Sequence, residues 1–209
     1  MQSESAQVPL RERNRQRIYK RIVSAATDLF STTGFERTTM DAIAEKAEVS
    51  RGTLFNYFST KEALLIPFAH ELYEQSVQPQ IMSYLETQPS TLQVLQVLFM
   101  SIHEHILILP QIDRALHLEF FQPATPRPSA KECRGEIGFL GTLTAILRYG
   151  QQRGEVRVDM PLEHLARSVG VLYIALLYGM LEQGTSTQYA AEVETLLAFL
   201  RPALNPVRS

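Results

Sequence analysis

The groups best suited to reading a nucleic-acid duplex crowd into one stretch, Thr38 to Phe58. Arg51, Thr53, Asn56 and Phe55 are residue types that recognise base edges: guanidinium, hydroxyl and amide groups meet donor and acceptor positions, and an apolar ring suits the thymine methyl. Thr39, Ser50, Tyr57 and Lys61 add hydroxyls, helix-start amides and a cation for phosphate oxygens. Gly52 lets the backbone come close to a partner where a side chain collides. Phe55, Tyr57 and Phe58 are costly to expose together unless something covers them.

Such groups need a short helix held at a fixed tilt. Thr38 or Thr39 caps a predicted helix over 39–47, with Asp41 at the positive end of its dipole. Ala44 and Ala47 let another helix approach closely, and Glu48-Val49 leaves room only for a pivot. Ser50 then caps a helix over 51–58, Val49 and Leu54 form a hydrophobic staple, and Leu54 and Phe58 mark its inner face. A preceding helix over 15–33 carries Ile18, Ile22, Ala25, Ala26, Leu29 and Phe30 on one side. Gly34 ends it and Phe35 folds back. Two short helices across a tight turn make a helix-turn-helix, whose second member enters the major groove. Capped pairs of this kind also occur in structural bundles, so spacing alone leaves both readings open.

A wider set of residues resembles the tetracycline-repressor (TetR) family of bacterial regulators. The resemblance rests on Ala25-Ala26, Leu29-Phe30, Gly34-Phe35 and Thr39 with Asp41, Ile43 and Ala44. It continues through Ala47-Glu48-Val49-Ser50, Gly52-Thr53-Leu54, Tyr57-Phe58 and Lys61-Glu62-Ala63-Leu64-Leu65, covering about residues 17–66. It implies an all-α protomer with three DNA-binding helices, a helical body enclosing an effector cavity, and dimerisation through the last two helices. It also implies that Thr39, Arg51, Gly52, Thr53, Phe55, Asn56, Tyr57 and Lys61 sit where family members touch DNA. Position 55 departs from the family's usual tyrosine: Phe55 has no hydroxyl to offer a phosphate. The organisation expected is a basic arm over 1–16, the helix-turn-helix over 17–60, and a regulatory and dimerisation domain over 61–209.

Composition and charge fit that frame. The 209 residues are 45% hydrophobic and 20% charged, with net charge −2, an ordinary globular profile. The basic groups gather at one end: Arg11, Arg13, Arg15, Arg17, Lys20 and Arg21 stand against Glu12 alone, as expected where only that end meets phosphate. No signal-peptide core and no apolar run of about 20 residues is evident, and Cys133 has no second cysteine to pair with. A cytoplasmic protein without membrane contact is the expectation.

Helical spacing continues to the C-terminus, with Pro67 inside a helix over 61–78, a helix over 90–109, a proline-rich loop over 122–128 and later helices over 131–153, 161–183 and 189–204. The run from Val169 to Leu181 is apolar nearly all round, and a helix of that kind must be buried on most faces. Val169, Tyr173, Leu177 and Leu181, with Leu196 and Leu200 of the last helix, are therefore the expected interface of a homodimer. Two recognition helices about 34 Å apart then match a palindromic operator on double-stranded DNA. His103, His117, Phe120 and Tyr173 are candidate lining for a small hydrophobic effector. His103, His105, His117 and Glu119 point different ways around their helices, so neither a metal nor another cofactor is expected. The sequence carries no glycine loop for phosphate, nucleophile motif or zinc-spaced cluster, which favours a regulator, a repressor by resemblance, over an enzyme with an appended DNA-binding domain. A DNA-binding protein with no effector stays open beside it.

Overall fold

Leu10 to Arg17 are nearly all strong helix formers, and Pro9 ahead of them withholds no amide that a helix start needs. In the computed structural model, which describes residues 9–107, 138–183 and 188–206 (the side chains of 181–183 aside), helix α1 accordingly runs Leu10–Thr32. Residues 10–16, expected as part of a flexible arm, are its first turns. Every regular element among the described residues is helical.

The described residues form two compact units, 9–71 and 72–206. In the first, α1 buries Ile22, Val23, Ala25, Ala26 and Phe30, and Gly34, at φ 90°, turns the chain. Phe30 meets Phe35 and Phe68 edge-on at 5.1 and 5.3 Å. Thr38 donates to the Gly34 carbonyl at 2.8 Å. Helices α2 (Met40–Lys46) and α3 (Arg51–Tyr57) follow, then a 3-10 turn, Glu62–Leu64, and α4, Leu65–Leu72. Pro67 is the third residue of α4, where the missing amide costs no helical bond, so the kink that an interior proline imposes has no cause here.

In the second unit a π-helical turn, Tyr73–Val77, leads directly into α5 (Gln78–Leu85), with Pro79 in its first turn. Helix α6 (Thr91–Ile102) opens with a capping box: Ser90 accepts from the Gln93 amide and the Gln93 side chain accepts from the Ser90 amide. A second π-turn, His103–Leu107, follows it. Then come α7 (Phe139–Gln152), α8 (Leu162–Gln183) and α9 (Tyr189–Leu204). Gly138 is extended and caps α7; the expected helical start at 131 and the proline loop lie outside the described residues. Leu95, Leu98, Leu143, Ile146, Leu147, Ala166 and Val193 make the core. Gly150 admits no side chain: a Cβ there would sit 2.4 Å from the Thr91 hydroxyl.

Candidate functional site

The turn between α2 and α3 is fixed by hydrogen bonds readable locally and by two that are not. Thr39 is extended (φ −111°, ψ 156°) and its hydroxyl accepts from the Ala42 amide at 3.1 Å. Ser50 caps α3 in the same way, accepting from the Thr53 amide at 3.0 Å, and its hydroxyl also bonds the Thr53 hydroxyl at 2.8 Å. Between them Glu48 adopts φ 51°, a left-handed conformation that costs a side-chain-bearing residue about 1–2 kcal/mol. Arg21 of α1 clamps it, donating to the Glu48 carbonyl at 3.0 Å and its carboxylate at 2.8 Å. Arg21 and Glu48 set the helix-turn-helix angle yet escape a pattern search, since they lie 27 residues apart.

With Leu54 and Phe58 buried, Arg51, Gly52, Phe55 and Asn56 lie exposed on α3, and Thr53 and Tyr57 half-buried. Arg51 is poised by two neighbours: it donates to the Asp41 carboxylate at 3.2 Å, and its guanidinium lies 5.6 Å over the Phe55 ring. Phe55 thus has a partner that needs no hydroxyl. Gly52 has no internal reason to be glycine, because a Cβ there meets nothing nearer than the Ser50 hydroxyl at 4.0 Å. The Tyr57 hydroxyl donates to the Arg15 carbonyl at 3.2 Å, tying the end of α3 to the cationic start of α1.

Lys61, expected at a phosphate, is turned inward. Its ammonium donates to the carbonyls of Phe35 at 2.6 Å and Glu36 at 3.3 Å and lies 4.2 Å over the Phe35 ring. Two carbonyl acceptors and an aromatic face, all within reach of the turn after α1, outcompete solvent for the cation.

In the second unit His103 and Tyr173 belong to one aromatic cluster. Tyr173 stacks on Phe99 at 4.4 Å and His103 on Tyr189 at 4.3 Å. The Tyr173 and Tyr189 hydroxyls bond at 2.8 Å, and Tyr189 donates to the Phe99 carbonyl at 2.6 Å. Burial, reinforced by Tyr189, holds the Tyr173 phenol well above its ordinary pKa. Tyr189 links the cluster and was not predicted, because its partner Phe99 is 90 residues away. His117 and Phe120 lie outside the described residues. A groove of about 320 Å³ among Thr91, Glu155, Val156, Arg201 and Leu204 is separate from this cluster. Its carboxylate is already committed, Glu155 accepting from the Thr91 amide and hydroxyl and from Arg153. Among the described residues no three His, Cys, Asp or Glu side chains gather as metal ligands, and no helix is long and apolar enough to cross a membrane.

The expected dimer residues need correction. Val169, Tyr173, Leu196 and Leu200 are buried within the protomer itself, and Leu177 is half-buried; the Leu181 side chain lies outside the described residues. They face inward because they share helical faces with core positions such as Ala166 and Val193. The same two helices expose Val171 (59%), Ile174 (42%) and Phe199 (62%).

Comparison with known proteins adds the following. Residues 22–66 match the family model of bacterial regulatory proteins, tetR family. The transcriptional regulator RutR of Escherichia coli is 46% identical over 55 residues, 26% of each chain, and YdeS of Bacillus subtilis 44% over 48 residues. The chain thus spans only about a quarter of these relatives' length, 24% of YdeS and 26% of RutR. The fatty acid metabolism regulator protein of Bacillus subtilis aligns more widely, at 25% identity over 81% of this chain and 82% of its own. Among solved structures, FadR of Thermus thermophilus, a TetR-family repressor in complex with lauroyl-CoA, superposes with TM-score 0.65 at 28% identity, covering 91% of this chain and 96% of its own. FadR of Bacillus subtilis, solved with stearoyl-CoA, shares the fold at TM-score 0.57 and 20% identity, over 90% of this chain and 100% of its own. The capped helices of residues 22–66 are thus similar to the DNA-binding region of the tetR family of bacterial regulatory proteins.

Proposed function

We propose that this protein is a sequence-specific DNA-binding repressor that acts as a homodimer on a palindromic operator and leaves it when the second unit takes up a small, largely apolar effector. The observation that carries the reading is the outward side of α3. There Arg51 is held in place by Asp41 and Phe55, Asn56 is exposed beside it, and a glycine stands where the fold itself asks for none. Ser50 and Thr53 fix the start of that helix and Thr39 caps α2 before it, and both helix starts offer amides to phosphate. In this reading the DNA-binding domain is 17–60, with α1's basic first turns before it, and 61–209 forms the regulatory and dimerisation domain. The dimer forms through the outward side of α8 and α9. The protein works in the cytoplasm and catalyses nothing.

The effector class to test first is a long-chain acyl-CoA. Its support is the aromatic interior of the second unit, together with a fold shared with two FadR proteins solved with lauroyl-CoA and stearoyl-CoA. Selection from random duplexes should return one symmetric site, and lauroyl-CoA should release the protein from it. Equal affinity for every duplex at moderate salt overturns the DNA reading; a selected site from which no acyl-CoA releases the protein overturns the effector class alone.

A further inference from the structure

Three buried side-chain hydroxyls among the described residues have no hydrogen-bond partner: Thr27, Tyr73 and Thr142. Tyr73 and Thr142 belong together. Tyr73 opens the first π-turn, Thr142 lies in the first turn of α7, and they are 5% and 1% exposed. Their hydroxyls are neighbours that do not reach hydrogen-bond geometry with each other. Burial pushes the Tyr73 phenol up to about 12, the nearby Thr142 hydroxyl offsetting only part of this, so the phenol keeps its proton and remains a donor.

Their surroundings are aromatic. Phe139 meets Tyr73 edge-on at 6.2 Å and Tyr173 at 5.5 Å, and Tyr173 stacks on Phe99. The two π-turns pack on one another, and turns of this rare type recur at functional sites. Two other helical threonines of this unit satisfy themselves, Thr144 donating to Leu140 at 2.8 Å and Thr195 to Ala191 at 2.9 Å, whereas Thr27 of α1 in the first unit has no partner. Thr142 does not satisfy itself, although its own helix offers the same kind of acceptor. Were the site merely packed, phenylalanine and valine would fill it without burying two idle hydroxyls, each of which lost its water on folding.

We infer that Tyr73 and Thr142 are a paired-donor anchor for one acceptor oxygen of the effector, the carbonyl of an acyl group, whose apolar remainder lies among Phe99, Phe139 and Tyr173. This rests on the reading that the second unit holds an acyl effector. It assigns the point at which the ligand's only polar atom in that interior is recognised.

The test uses the full-length protein with Tyr73→Phe and, separately, Thr142→Val. Lauroyl-CoA and S-dodecyl-CoA, a thioether lacking the carbonyl, are titrated by calorimetry. Both variants should melt no lower than wild type and bind the selected operator equally well. Each should bind lauroyl-CoA about tenfold more weakly, one hydrogen bond's worth, while S-dodecyl-CoA binds all three proteins alike. Unchanged lauroyl-CoA affinity in both variants overturns the anchor while leaving the effector reading intact, as does an equal loss for the thioether. A wild type that binds neither lauroyl-CoA nor lauric acid overturns the effector reading and the anchor with it. Should Thr142→Val lower the melting temperature, Thr142→Ser, which restores the donor, must restore lauroyl-CoA binding; if it does not, the anchor is rejected.

Discussion

Gly52→Ala separates what the fold needs from what a DNA partner needs, because the two effects have opposite sign. Gly52 is the second residue of α3, and an added Cβ finds only the Ser50 hydroxyl, at 4.0 Å. No atom must move, and alanine is favoured over glycine in a helix by roughly 0.5–1 kcal/mol. The folded protein should therefore gain up to about 1 kcal/mol, read as a higher midpoint in urea. On the operator the same methyl occupies the approach of a base edge or phosphate to the start of α3. A displacement costing about 1.4 kcal/mol weakens binding tenfold at each half-site, and so up to about a hundredfold for a two-fold symmetric complex. Fluorescence anisotropy with the selected operator, and a scrambled duplex as control, measures this directly. Raised stability with unchanged operator affinity would show that the start of α3 stands off the DNA. Lowered stability would mean that Gly52 serves the fold after all.

Lys61→Met should destabilise the first unit by about 1.5–3 kcal/mol, the worth of a hydrogen bond from a charged donor, and leave the salt dependence of operator binding unchanged. A salt slope reduced by about one per half-site at full stability would instead return Lys61 to a phosphate. Asp41→Asn removes an exposed ion pair worth about 0.2–1 kcal/mol, so thermal stability should hardly move. With Arg51 released to any nearby phosphate, affinity for random duplex should rise and discrimination at the base opposite Arg51 should fall; a selection profile identical to wild type defeats this role. Phe199→Asp, on the outward side of α9, should convert dimers to monomers in sedimentation with helix content retained, and a dimer that survives it must use another face.

The helix-turn-helix was legible because its caps and its inner face are local. The caps span three residues, Thr39 to Ala42 and Ser50 to Thr53, and the inner face repeats at Leu54 and Phe58. What escaped is non-local. Lys61 reaches back 26 residues to Phe35, Arg21 reaches forward 27 to Glu48, and Tyr189 closes on Phe99 across 90. Residue type announces such donors without naming their acceptors. The start of α1 was missed for another reason: an apolar stripe marks where a helix packs, and Leu10–Arg17 extends past any packing surface on propensity alone.

Helix α8 shows more instructively where periodicity runs out: Val169 and Tyr173, expected at an interface, are buried within the protomer. Periodicity finds a buried face by contrast with a polar one, and from Val169 to Met180 there is no such contrast. Val169 and Tyr173, four apart, enter the protomer's own core; Val171, Ile174 and Ala175, on the other side, remain exposed. A helix that served only its own core would need one apolar stripe, about 100° wide. Helix α8 carries a second, and α9 adds Phe199. Leaving that surface in water forgoes roughly 25 cal/mol for each Å² of apolar area, a loss that isologous contact between two copies recovers without any further partner. The surplus that hid the inward face is thus the physical ground for the proposed dimer, which would place two copies of α3 on one duplex.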